Sequence, residues 1–225
     1  NVVVPNEYPA FLHWLSGNDD IIIDSNNHEL ALDKISKAEL IIFLDFNALE
    51  RTHNLEEAFR NTRVPKILVD HHPQPEQFAD IIISTTQVSS TSELLYELLI
   101  KLGDHQAVSK TIAECLYTGI MTDTGSFSYN SSLSQTYYVV SKLIEKGIDK
   151  NKIYWRVYDN YTLDRMKLLG YCLHKKLNVL SEFGVAYISI NQGELRKFNY
   201  QTGDSEGFVN YPLSIHGVVF SVIFI

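Results

Sequence analysis

Lys66-Ile67-Leu68-Val69-Asp70-His71-His72-Pro73 is the stretch on which the reading of this chain turns. A short run of strand-forming residues delivers an acid and two imidazoles in succession, and a proline then stops the strand. Metal-binding or proton-transferring side chains gathered at the carboxyl end of a strand exceed what a polar turn needs. On these residues alone a turn and a site both remain open, so the argument moves to the flanking elements.

Upstream, Leu40-Ile41-Ile42-Phe43-Leu44-Asp45 is a second apolar run that ends in an acid. Its unbroken hydrophobicity predicts a parallel strand covered on both faces. Val2-Val3-Val4, Ile21-Ile22-Ile23 and Ile81-Ile82-Ile83 read as further strands, with helices expected over 28–37 and 56–61. This alternation predicts an α/β fold built on a doubly wound, mostly parallel sheet. In such sheets the ligand crevice lies outside the carboxyl ends of the strands, where Asp45 and Asp70 are expected to converge.

After Ser84 the pattern becomes helical. Ser89-Ser90-Thr91 precedes a segment in which Leu94, Leu95, Leu98 and Leu99 recur on one face. A capping box from Ser90 to Glu93 would start that helix and Gly103 would end it. A helix over 107–121 is expected to bury Ile112, Leu116 and Ile120, and it runs directly into Thr122-Asp123-Thr124-Gly125-Ser126-Phe127. Helices over 135–146 and 153–159 follow, then a long helix of mixed polarity that reads as a connector. Beyond Leu177 the period falls to two, and 177–180 with 185–190 read as a hairpin around Ser181-Glu182-Phe183-Gly184. Residues 218–225 read as a buried strand. The expected organisation is a first domain over 1–160, a connector over 161–176, and an incomplete second α/β domain over 177–225.

With 225 residues, 45% of them hydrophobic, the chain has ample material for a core. Its net charge of −8 argues against a broad electrostatic grip on long double-stranded nucleic acid, though not against a small phosphorylated ligand held through metal ions. Cys115 and Cys172 lie far apart with no CxxC spacing, which fits core-filling thiols in a reducing cytosol rather than a disulfide framework or zinc ribbon. No stretch is long enough to span a membrane, so no membrane partner is expected.

Asp45, His71 and Asp123 together make a mixed oxygen and nitrogen set, which suits manganese or magnesium better than a thiolate-selective metal. Each has a plainer reading: Asp45 as the cap of the following turn, Asp123 as an Asx-turn. The Ser90, Thr91 and Glu93 group reads as a helix cap, and a helix amino terminus facing the crevice would also attract substrate phosphate through Ser90 and Thr91. His13, His28, His53, His105, His174 and His216 have no partner at ligand spacing and read as surface or satisfied histidines. Tyr154, Trp155, Tyr158 and Tyr161 read as packing for the connector.

The order of these motifs carries more than any one of them. An acid ending one strand, Asp-His-His ending the next and Thr-Asp-Thr-Gly-Ser-Phe after two helices closely resemble the DHH family of phosphoesterases, over nearly the whole chain. Glu206-Gly207-Phe208-Val209-Asn210-Tyr211-Pro212-Leu213-Ser214-Ile215 is similar to the opening of the DHH-associated domain in the oligoribonuclease branch, whose members are nanoRNases and 3′,5′-bisphosphate nucleotide phosphatases. The resemblance implies that Asp45 bridges two manganese ions, with magnesium as the alternative, and that His71 and Asp123 ligate one of them. It implies that His72 faces the substrate phosphate, with Asp70 orienting the imidazole by accepting its other N–H. It further implies hydrolysis of short RNA or a phosphorylated nucleotide in the cytoplasm, often by a homodimer.

Cyclic-dinucleotide phosphodiesterase, exopolyphosphatase, pyrophosphatase and single-strand exonuclease activities stand as alternatives. Outside the enzymes stand a catalytically inactive nucleotide-binding module and an interaction scaffold. Two features of the family do not occur in this sequence, a His-x-x-x-Asp-x-Asp motif and a Gly-Gly-Gly-His loop. The expectation is that this sequence is a piece of a longer chain.

Overall fold

Runs of β-branched residues form the strands, and the helices between them lie where the apolar period lengthens. The computed structural model describes residues 1–103 and 106–225, so His105 lies outside the described residues. It divides into two compact units, Asn1–Glu7 with Trp14–Ile153 and Tyr8–His13 with Tyr154–Ile225.

In the first unit, β1 (Val2–Val4) pairs in parallel with β2 (Ile21–Ile23), and α1 (His28–Ser36) follows. Next come β3 (Ile41–Leu44), α2 (Glu56–Asn61), β4 (Lys66–Asp70) and β5 (Ile81–Ser84), and the strands form a parallel sheet in the order β3-β4-β5. The α/β class and the parallel direction match the expectation. The single sheet does not: among the described residues the strands fall into a pair and a triplet with no ladder between them. A cleft of about 410 Å³ lies between them, lined by Val3, Ile35, Leu40, Ile42 and Phe46 among others.

That division corrects the reading of β3 as covered on both faces. Side chains alternate along a strand, and here Phe43 is buried while Ile42 on the opposite face is 55% exposed. Phe43 meets the rings of Phe59 and Phe78 edge to face, with centroids at 4.8 and 5.0 Å. Ala31, Ile35, Leu49, Leu55 and Leu68 complete this core. Burying a leucine such as Leu68 contributes about 1.5–3 kcal/mol.

The helical part of the unit is α3 (Thr91–Lys101), α4 (Lys110–Asp123) and α5 (Ser134–Glu145), followed by α6 (Lys150–Tyr158). Leu94 of α3 packs with Val69 of β4 and Val88, with Leu98 at the margin. Leu116 and Ile120 of α4 are buried as expected, but Ile112 is exposed because it sits in the first turn. Only half of the expected capping box forms. Ser90 Oγ accepts from the Glu93 amide at 3.1 Å, while the Glu93 carboxylate turns to the Ser89 amide at 3.0 Å instead of that of Ser90.

The second unit holds α7 (Leu163–Tyr171), which widens into a π-helical turn over Cys172–Lys176. A hairpin of β6 (Leu177–Leu180) and β7 (Val185–Ser189) follows, then α8 (Gln192–Lys197) and β8 (Phe220–Phe224), which pairs in parallel with β7. Leu168, Leu169 and Cys172 pack on Ile188, Ile190, Leu195 and Phe208, so α7 belongs to this core instead of standing apart as a connector. The division between the units accordingly falls at 153/154 and not near 160. Of residues 218–225, Phe220–Phe224 form the strand, at the edge of its sheet among the described residues, and Phe220 and Phe224 are exposed, where hydrophobicity predicts a buried strand. Burial pushes the Cys172 thiol up to about 11. Both cysteines are free.

Glu194 ties this unit together. Its carboxylate accepts from Tyr171 Oη, from Lys176 Nζ at 2.9 Å and from the Asn191 amide at 2.9 Å, closing a reciprocal capping box on α8. The hydroxyl and amide donors, with the lysine, hold its pKa down at about 2, from an ordinary value of 4.5. A lowered folded-state pKa contributes stability above the unfolded value, and that contribution is lost as pH falls through the folded value. Glu194→Gln should therefore melt at lower temperature than the parent at pH 7, and the gap should close progressively between pH 4.5 and about 2 in thermal melts.

Candidate metal centre

The site begins with a register. Leu44 of β3 stands opposite Val69 of β4, and the Asp45 amide continues the ladder by donating to the Val69 carbonyl at 3.1 Å. This places Asp45 beside Asp70, His71 and His72 at the carboxyl ends of two adjacent parallel strands. Asp45 turns into the left-handed region at φ 69°, a conformation that aspartate tolerates better than most residues and one that diverts its side chain from the strand alternation.

Asp70 is fully buried and both of its oxygens serve His72. Oδ1 lies 2.8 Å from His72 Nδ1, and Oδ2 accepts from the His72 amide at 3.1 Å. The imidazole that Asp70 orients is thus that of His72, held through Nδ1 with Nε2 left for a ligand. His71 points its Nε2 at two acids, 3.2 Å from Asp123 Oδ2 and 3.6 Å from Asp45 Oδ1. The two imidazole rings meet edge to face with centroids 4.8 Å apart.

Asp123 is the last residue of α4, not a residue beyond it, and its carboxylate meets His71. The following turn is built to stop the helix there. Thr124 Oγ1 donates to the Ile120 carbonyl and accepts from the Phe127 amide, and Gly125, Ser126 and Phe127 all take positive φ. Gly125 is required twice over, by its φ of 52° and because a Cβ would stand 2.7 Å from the Tyr129 ring.

Burial raises the Asp123 pKa above the ordinary carboxylate value even though 41% of its side chain is exposed; the Asp45 charge adds to the rise, and His71 and His72 oppose it. Two carboxylates and an imidazole crowded in this way favour a cation. The oxygen and nitrogen donors around His71 Nε2, at 3.2 and 3.6 Å, make a mixed set that would suit a divalent cation. Asp45, His71 and His72 also offer donor atoms within 4.8 Å of one another. His72 Nδ1 is committed to Asp70, and Asp123 Oδ2 stands beside His71 Nε2, so Asp45, His71, His72 and Asp123 are the donors gathered here.

Several other residues singled out from the sequence have partners of their own. Ser90 caps α3 and is buried, while Thr91 donates from Oγ1 to Asp45 Oδ1 at 2.6 Å. That pairing bridges 46 residues and left no local signal. His28 is satisfied by Asp24, with Nδ1 2.6 Å from Oδ1, an i,i+4 relation that the sequence does carry. His13 lies edge-on to the Tyr8 ring, and Tyr161 stacks under the guanidinium of Arg165 at 3.5 Å. The reading of Asp45 and Asp123 as turn caps is replaced by their contacts with Thr91 and His71.

The His72 tautomer provides a direct check on this geometry. In the parent, Asp70 should hold the proton on Nδ1; Asp70→Asn should release that preference, read from imidazole ¹⁵N shifts, and cost about 1–3 kcal/mol in urea titration through weakened bonds to buried donors.

Residues 2–120 match the family model described as the DHH family, N-terminal domain. The bifunctional oligoribonuclease and PAP phosphatase of Bacillus subtilis is 30% identical over 159 residues, covering 70% of this chain and 50% of that protein. A probable enzyme of the same description from Streptococcus mutans is 28% identical over 214 residues, 95% of this chain and 63% of its own length. The chain thus spans about half to two thirds of the curated relatives it matches. A crystal structure of an exopolyphosphatase-related protein from Bacteroides fragilis superposes with a TM-score of 0.93 at 45% identity, covering 99% of this chain and 65% of that one.

Proposed function

This chain belongs to the DHH family, and from that premise we propose that it is a divalent-metal-dependent phosphoesterase acting on short oligoribonucleotides or 3′,5′-bisphosphate nucleotides. The observation that carries the reading is the meeting of His71 Nε2, Asp123 Oδ2 and Asp45 Oδ1 beside a buried Asp70–His72 pair. The names of the Bacillus and Streptococcus relatives support the substrate class. The net charge of −8 supports small or short substrates over long polymers.

His71 and Asp123 would hold one manganese ion together with Asp45, and Asp45, whose Oδ1 lies 3.6 Å from His71 and 3.7 Å from His72, would be shared with a second. Bound cations supply charge stabilisation at phosphoryl oxygens and lower the pKa of water. The chain supplies orientation. Asp70, fully buried, fixes the His72 ring so that Nε2 contacts the phosphate or the departing oxygen. The amino terminus of α3 adds a positive field beside Asp45 that also favours an approaching phosphate. Among the described residues no helix is long and apolar enough to cross a membrane, and the free Cys115 and Cys172 fit a cytoplasmic enzyme.

The test is a manganese-dependent hydrolysis panel on the full-length protein with dinucleotide RNA, 3′,5′-bisphosphoadenosine, cyclic di-AMP, polyphosphate and pyrophosphate. The first two should be turned over fastest; preferential turnover of polyphosphate would favour the character of the Bacteroides relative instead. Chelation and Asp45→Asn should each abolish activity, and His72→Ala should lower kcat by about 10²–10⁴-fold. Full activity in Asp45→Asn would refute the metal assignment.

A further inference from the structure

We infer that Thr91 is a positioning residue for Asp45, the side chain that orients its carboxylate toward the cations; the inference rests on the metal-centre reading above. Asp45 needs such a partner. It lies beyond the end of β3 with a left-handed backbone, and 56% of its side chain is exposed, so packing does not fix its rotamer. A carboxylate that would be shared by two ions must nevertheless be held in one orientation.

Thr91 meets that need from a rigid base. Its Oγ1 donates to Asp45 Oδ1 at 2.6 Å, in the short range expected when a hydroxyl donates to a charged oxygen. Its own side chain is only 7% exposed, and a β-branched residue has few χ1 wells to choose from. The turn that carries it is held from three sides. Ser90 Oγ accepts from the Glu93 amide at 3.1 Å. Glu93, fully buried, gathers on Oε2 the Ser89 amide at 3.0 Å, the Ser89 hydroxyl, and the Thr136 hydroxyl of α5 at 2.9 Å. The chain of contacts therefore runs from α5 through Glu93 to the first turn of α3, and from Thr91 across to the end of β3.

The chemistry leaves room for the metal. Each carboxylate oxygen offers two lone pairs, so one bond from Thr91 occupies one site on Oδ1 and leaves the remainder for cations. Removing the hydroxyl frees the carboxylate to rotate, and metal binding must then order it. Loss of a hydrogen-bond partner behind a metal ligand typically costs about 10–100-fold in affinity. A purely structural role at the start of α3 would instead lower the melting temperature and leave metal affinity unchanged.

The experiment measures the Mn²⁺ dissociation constant of the full-length protein by titration with detection of free Mn²⁺ by electron paramagnetic resonance, alongside metal-free thermal melts. Thr91→Val and Thr91→Ala should each raise the dissociation constant by about 10–100-fold. Thr91→Ser, which keeps the hydroxyl, should stay close to the parent, and Asp45→Ala should bind more weakly than any Thr91 variant. Parent-like affinity in a folded Thr91→Val or Thr91→Ala, with Asp45→Ala impaired, overturns the role of Thr91 alone. So does a Thr91→Ser loss equal to that of Thr91→Val. Unchanged binding in Asp45→Ala overturns the metal centre itself.

Discussion

The parallel ladder between β3 and β4 is the constraint from which the rest of the site descends. With Leu44 opposite Val69, and the Asp45 amide bonded to the Val69 carbonyl, one strand delivers an acid exactly one residue beyond its end while its neighbour delivers Asp70, His71 and His72. A slip of one residue would invert every side chain along β3, exposing Phe43 and burying Ile42. The aromatic cluster of Phe43, Phe59 and Phe78 resists that slip, so core packing on one face of the sheet sets the geometry of chemistry at its end.

Buried carboxylates do the second part of the organising. Asp70 and Glu93 are both fully enclosed, and a polar group in such surroundings is costly unless hydrogen-bond donors converge on it. Asp70 takes its donors from His72 and thereby fixes that ring. Glu93 takes its donors from Ser89 and Thr136 and thereby fixes the turn that presents Thr91. Each acid is linked to the exposed cluster through one intermediary, which lets half-exposed ligands be held by a rigid interior.

How much of this was legible in the sequence depended on range. The strand-end positions of Asp45 and Asp70 follow from apolar runs that stop, and the meeting of His71 with Asp123 is what the family resemblance implies. The pairing of Thr91 with Asp45 does not, because the two share no periodicity or local motif. Unbroken hydrophobicity misleads twice in the same way: in β3 and in residues 218–225 it predicts burial, whereas Ile42, Phe220 and Phe224 are exposed. Composition reports what a strand can bury, not what covers it. The mixed polarity of α7 misled in the opposite sense. Its Arg165 is enclosed because the guanidinium stacks on Tyr161 at 3.5 Å and donates to the Glu206 carbonyl at 2.8 Å, so a charged residue lies within the second unit beside an apolar core.

The electrostatics of the cluster explain why such an arrangement is worth holding in place. Asp123 has its pKa raised by burial and by the charge on Asp45, while His71 and His72 pull it down. Protons and metal ions therefore compete for the same oxygens, and a cation that binds must displace any proton present. A divalent ion wins this competition more readily when its ligands are already oriented, since no ordering cost is then set against the charge it neutralises. Thr91 at Asp45 and Asp70 at His72 would supply that orientation, each through a hydrogen bond to a group of the cluster.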